Sequence, residues 1–170
     1  MAAGVDGTVP SYDAPLVSSL VEDTWSRGDA IGGKTIFHPV AVGCATCHKV
    51  NNAVAWVGPD LSAVGTTVPL PRIIEEVLWP ARQVKERYTL TSLIMEDGKI
   101  VQGYERKQKD SSEELLLMDV STARLKRITI DQIEERNEAG SPMPAGLTSG
   151  LTRSQLLDLF RYLASLGTGD

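Results

Sequence analysis

Apolar positions recur at helical spacing toward both ends of the chain and alternate with polar ones in its middle. Leu16, Val17, Leu20, Val21 and Trp25 fall on one face of a short amphipathic helix over residues 15–25. Gly28-Asp29 opens a second helix, with Asp29 as its cap and Gly33, Ile36 and Phe37 on one face. A further turn or two over residues 73–78 is stopped by Pro80. Near the end, Thr152 caps a helix that carries Leu156, Leu157, Phe160, Leu163 and Ala164 on one side, and Gly167 ends it. Leu159, Tyr162 and Leu166 widen that stripe, which reads as core.

The middle changes period. Residues 88–95, 99–106, 115–120 and 126–130 are short runs rich in β-branched and apolar side chains, and Asp97-Gly98 between the first two is a hairpin signal. Residues 109–112 and 121–123 supply the next two turns. These runs predict a four-stranded antiparallel insertion at about residues 86–131, long enough to bury one face. Asp131 then caps a brief helix, with Glu134 three residues on. Residues 1–13 carry Gly, Pro and Ser without periodicity and read as a tail or linker, which leaves 14–170 as a single domain.

Composition narrows the class. At 170 residues, 42% apolar and 23% charged, the chain suits one globular domain. Only 5% of it is aromatic, a deficit that a buried flat cofactor would offset. Net charge is −5 and no basic run exceeds a few residues, so nucleic acid is not an expected partner. No stretch has the length of apolar sequence needed to span a bilayer. The start, Met1-Ala2-Ala3-Gly4, lacks a charged and apolar signal pattern, so a mature or excised segment is expected.

The chemistry gathers at Cys44-Ala45-Thr46-Cys47-His48, which holds the only two cysteines. Two thiols three positions apart lie on one side of a helical turn, where each can add to one vinyl group of a heme, and the next residue presents an imidazole to the iron. Three other readings compete. A structural zinc ion needs four ligands, and adjacent Cys47 and His48 with Cys44 and His38 offer poor geometry. A thioredoxin-like dithiol needs a strand before the first cysteine, where the pattern here is helical. A disulfide over so short a loop stabilises little.

With His48 on one side of the iron, the other side calls for Met95, Met118, Met143, His38, a water or a vacancy. Met95 and Met118 sit inside predicted strands and read as core. Met143 stands in Ser141-Pro142-Met143-Pro144, where two prolines stiffen the backbone and hold its sulfur out as a preorganised ligand. His and Met ligation raises the reduction potential relative to two histidines and suits one-electron transfer. Gly58-Pro59 has two readings: a plain turn, or an acceptor carbonyl at Pro59 for the second N–H of His48, with Gly58 allowing close approach.

Taken in order, Gly28-Asp29 with Gly33 and Phe37, the Cys44 to His48 motif, Gly58-Pro59-Asp60-Leu61, Met143-Pro144, and Leu159, Tyr162 and Leu163 of the last helix resemble class I cytochromes c. Trp79-Pro80, Tyr88 before Asp97-Gly98, and Ser141-Pro142-Met143-Pro144 are closer to the heme-binding domain type of large planctomycete and verrucomicrobial proteins. The resemblance implies a mainly α fold, a class I cytochrome c helical core around a covalent heme, with the four-stranded antiparallel element inserted, α+β overall. It implies one heme c per chain, bound through Cys44 and Cys47, with His48 and Met143 as axial ligands and the Pro59 carbonyl as acceptor from His48. It also implies that the first and last core helices cross near Gly33, with Phe37, Phe160 and Tyr162 nearby. Residues 38–43, Pro39 among them, make the approach to Cys44 longer than in small class I proteins, and the strands are foreign to those proteins.

The function expected from these residues is electron carriage, not enzymatic turnover. The resemblance implies a redox protein or a fused dehydrogenase-like domain as the donor. A gas or redox sensor with a displaceable Met143 is the alternative. A peroxidase would need a distal acid and base, for which His38 is the one histidine candidate. Lys49 has two readings, a docking charge near the heme edge or a solvated side chain. Covalent heme attachment places the chain in the periplasm or another extracytoplasmic space.

Overall fold

The computed structural model describes residues 11–38, 43–51, 57–106 and 113–169, and the chain divides into two compact units: Met1–Arg82 with Pro144–Asp170, and Gln83–Met143. The first unit is helical. It contains α1 (Ala14–Arg27), α2 (Ala30–Phe37), α3 (Cys44–Cys47), α4 (Val64–Thr67), α5 (Leu70–Leu78) and α6 (Arg153–Ser165).

Helices α1, α2 and α6 begin where a side chain satisfies their first N–H groups, whereas α5 follows Pro69 with no side-chain cap. Asp13 accepts from Leu16 N at 3.1 Å to start α1, and Asp29 accepts from Ile31 N and Gly32 N, each at 3.0 Å, to start α2. Thr152 and Gln155 form a reciprocal capping box that starts α6. Along α6, residues on adjacent faces serve two cores. Leu157, Phe160 and Ala164 pack with Val17 and Leu20 of α1, Leu70 and Ile74 of α5, and Trp79. Leu159, Tyr162 and Leu163 pack with Phe37 of α2, Val50 and Ile73.

The crossing of α2 and α6 turns on Gly33. A Cβ there would stand 1.9 Å from the Asp158 carbonyl oxygen and 2.7 Å from Tyr162 Cβ, so only glycine lets the two backbones approach. The same crossing is pinned at its end by Asp158, whose carboxylate accepts from Asp29 N at 2.8 Å.

The second unit is a sheet. Its strands are β1 (Leu90–Met95), β2 (Ile100–Arg106), β3 (Glu114–Asp119), β4 (Arg124–Thr129) and β5 (Ile133–Gly140), in the order β4-β3-β2-β1-β5 with every pair antiparallel. Leu93, Leu117 and Ile128 form its core, and Met95, Val101, Leu115 and Ile133 pack against them. Gly98 at φ 78 turns the first hairpin and Ala123 at φ 53 turns β3 into β4. The predicted turn at 109–112 lies outside the described residues.

The expectation of a mainly α chain, a class I cytochrome c helical core with a four-stranded insertion, is corrected by this sheet. Helix makes up 40% and strand 23% of the described residues, a single small α+β fold with five antiparallel strands. The difference lies in β5. Residues 130–132 form a single 3-10 turn where Asp131 was expected to cap a helix, and the chain then extends. Glu, Arg and Ala in this stretch favour helix locally. The open side of β1 offers unpaired backbone groups, however, and pairing Leu93 with Arg136 and Met95 with Ile133 satisfies them.

Candidate functional site

Gly43 takes the left-handed conformation, φ 73, and from it the chain enters the single turn of α3. Thr46 N donates to the Gly43 carbonyl at 3.1 Å and His48 N to the Cys44 carbonyl at 2.9 Å, which puts the Cys44 and Cys47 side chains on one side of the turn. Both are free, half-buried cysteines, and burial pushes the Cys44 thiol above its usual pKa. At His48 the backbone leaves the helix for an extended conformation, φ −108 and ψ 134.

The imidazole is held on two sides. Its Nδ1 lies 3.0 Å from the Pro59 carbonyl oxygen. A carbonyl only accepts, so Nδ1 carries the proton and Nε2 keeps a lone pair. Burial lowers the His48 pKa, partly opposed by that hydrogen bond, and favours the neutral ring that a metal can bind. Against the ring lies Gly58, where a Cβ would stand 2.5 Å from Cε1 and 2.6 Å from Nδ1. Gly58-Pro59 is therefore more than a turn: it is a seat for the ring.

Backbone rungs keep this seat in register. Gly58 N donates to the Cys47 carbonyl at 2.8 Å, and Leu61 N to the Lys49 carbonyl at 2.9 Å. Asn51 N donates to Ser62 Oγ at 2.9 Å. Asp60 Oδ1 accepts from Ser62 Oγ at 2.6 Å and Ser62 N at 2.9 Å, and its other oxygen lies 3.1 Å from Lys49 Nζ. Those Ser62 and Lys49 donors hold the Asp60 carboxyl at about 2. Lys49 is thus engaged in an ion pair. Ser62 and Asn51 escaped sequence reasoning, although Asp-x-Ser is a readable signal for a side chain that folds back on its own backbone.

Around the turn, Cys44, Ala45, Leu61, Val64 and Val68 form a half-buried apolar band packed on the Phe37, Tyr162 and Leu163 core. α4 belongs to this band and was not foreseen. Gly65 permits it, since a Cβ there would stand 2.2 Å from the Ala164 carbonyl oxygen.

A heme, the group implied by the motif, fits these residues. Two unpaired thiols share one side of a turn, a neutral imidazole presents Nε2, a glycine cradle seats the ring, and apolar surface adjoins them. Among the described residues no group of three or more His, Cys, Asp and Glu side chains gathers as a metal site would require. His38 is exposed at the end of α2, its ring 5.4 Å from Phe37 and 6.4 Å from Tyr162 between centroids. The segment leading toward Cys44 contains α2, where a dithiol oxidoreductase has a strand.

Met95, Met118 and Met143 all lie in the sheet unit. Met95 packs in the sheet core and Met118 is half-buried in β3. Met143 is the last residue of the sheet unit; it is half-buried, and its N–H donates to Ser141 Oγ at 3.2 Å. Among the described residues no helix is long and apolar enough to cross a membrane. Compared with known proteins, the chain matches no family model and no curated protein.

Proposed function

We propose that this chain is a heme-binding domain of the planctomycete and verrucomicrobial type, and that it carries single electrons on one heme c. One observation supports the reading above the others: the His48 imidazole is seated on Gly58 with Nδ1 bonded to Pro59, beside two free thiols on one turn. Bound there, heme supplies an iron centre that takes up and gives back one electron.

Cys44 and Cys47 would hold the porphyrin through thioether bonds, and His48 Nε2 would bind the iron. Pro59 keeps the ring in the tautomer that leaves Nε2 available, and Gly58 fixes the plane of the ring. Met143 as the second axial ligand belongs to the same proposal and rests on its sequence setting between two prolines. A redox protein or fused dehydrogenase-like domain would donate the electrons, in an extracytoplasmic space where thioether attachment takes place.

The test is expression of the full chain together with a heme c maturation system. A denaturation-resistant heme adduct on Cys44 and Cys47, a reversible optical change on reduction, and no carbon monoxide binding are expected. Absence of covalent heme from folded protein overturns the proposal. Ready carbon monoxide binding by the wild type would turn the carrier into a ligand sensor.

A further inference from the structure

His48 and Pro59 are joined by one hydrogen bond, and their chain successors, Lys49 and Asp60, by an ion pair. The Asp60 carboxylate also fixes Ser62, whose hydroxyl donates to Asp60 while its oxygen accepts the Asn51 N–H. Asn51 is held there at φ 50, a backbone conformation unusual for a side chain with a Cβ. The two chain segments that carry the imidazole and its acceptor, tied by the backbone bonds from Gly58 N to the Cys47 carbonyl and from Leu61 N to the Lys49 carbonyl, are thus clamped a further time through one carboxylate. Because the Lys49 and Asp60 side chains are 40% and 46% exposed, their pair adds little to global stability, and its effect is local.

We infer that Asp60 is a positioning residue for the axial imidazole: by gripping Lys49 and Ser62 it holds the Pro59 carbonyl on Nδ1 of His48, and so sets the ring's tautomer and the midpoint potential. The potential part rests on the heme reading above, whereas the tautomer part concerns the polypeptide alone. The direction follows from the chemistry. A firm acceptor on Nδ1 makes the imidazole a stronger donor and favours the ferric state, so loosening it raises the potential.

The test uses the full chain with 15N-labelled histidine, and the heme-loaded protein is studied in its reduced, diamagnetic form. In Asp60→Ala the His48 Nδ1 proton should exchange with solvent about tenfold faster, the equivalent of one ordinary hydrogen bond. The midpoint potential of loaded protein should rise. Asp60→Asn, which keeps an acceptor oxygen but not the charge, should lie between Asp60→Ala and wild type. Ser62→Ala should move both readouts the same way and serves if Asp60→Ala does not fold. Asp97→Asn, which removes another exposed lysine pair, should change neither.

An unaltered Nδ1 proton in folded Asp60→Ala or Ser62→Ala overturns the inference. If the chain carries no heme, the proposed function fails, yet the Nδ1 proton still decides the role of Asp60. If heme is carried and the proton does not respond, the function stands and the role of Asp60 falls.

Discussion

Gly58 lies against the His48 ring so closely that a single added carbon would meet it at 2.5 Å. Real Cβ atoms do not approach so near, so the ring must move if residue 58 gains a side chain. Gly58→Ala should leave the helices folded, as judged by far-UV circular dichroism. Covalent heme recovered per chain should fall about 10-fold or more, the usual scale when a metal ligand loses its support. Loading equal to wild type would show that the seat is dispensable.

Met143 can be separated from Met95 and Met118 by one substitution. In Met143→Ala, heme should stay attached through Cys44 and Cys47, the ferric sulfur-to-iron absorption band should vanish, and the reduced protein should bind carbon monoxide. An unchanged band would remove Met143 from the iron.

The α2 and α6 crossing predicts a cost at Gly33. With Asp158 backbone 1.9 Å from a new Cβ, Gly33→Ala forces the helices apart and should destabilise the protein by about 1–3 kcal/mol or more, read as a lower urea midpoint. An unaltered midpoint would mean that the crossing carries little of the stability.

Asp119 gives the sheet a pH dependence. Burial acts to raise its pKa, but Lys126, the Ser121 hydroxyl and the Thr122 and Ser121 N–H groups outweigh burial and hold the carboxyl well below the usual carboxylate range. A depressed folded pKa stabilises above the unfolded value of about 3.9 and is lost as pH falls through the folded one. Asp119→Asn should therefore cost about 1.5–3 kcal/mol near neutrality. The gap from wild type should close as the medium becomes more acid than about pH 4. A gap constant down to low pH would assign the loss to packing.

Much of the helical unit was legible because its signals are local. Asp29 and Thr152 announce their helices by side chains that cap them, Gly33 by a small residue in an apolar face, and Asp97-Gly98 marks its hairpin. The His48 seat was legible as one of two readings, since Gly-Pro alone does not say what it touches. What escaped depends on distant partners. Residues 133–140 look helical until β1 supplies a ladder for them, and Gly65 gains meaning only when α6 is beside it. Ser62 matters because Asn51 and Asp60 meet at its hydroxyl.

The strand that the sequence hid also bears on how the chain reaches its native state. The Asp29 to Asp158 bond closes a span of 129 residues, a slow search for an unfolded polymer. Leu90 at the start of β1 pairs with Gly140 at the end of β5, so the sheet's entrance and exit become neighbours once β5 docks. From then on, α6 is tethered to α5 by a short effective loop instead of a long one. Docking of β5 ahead of the helical crossing would make the crossing wait on it, and variants that weaken its pairing should then slow refolding by up to the full loss of stability, with the unfolding rate, measured in the same stopped-flow series, little changed.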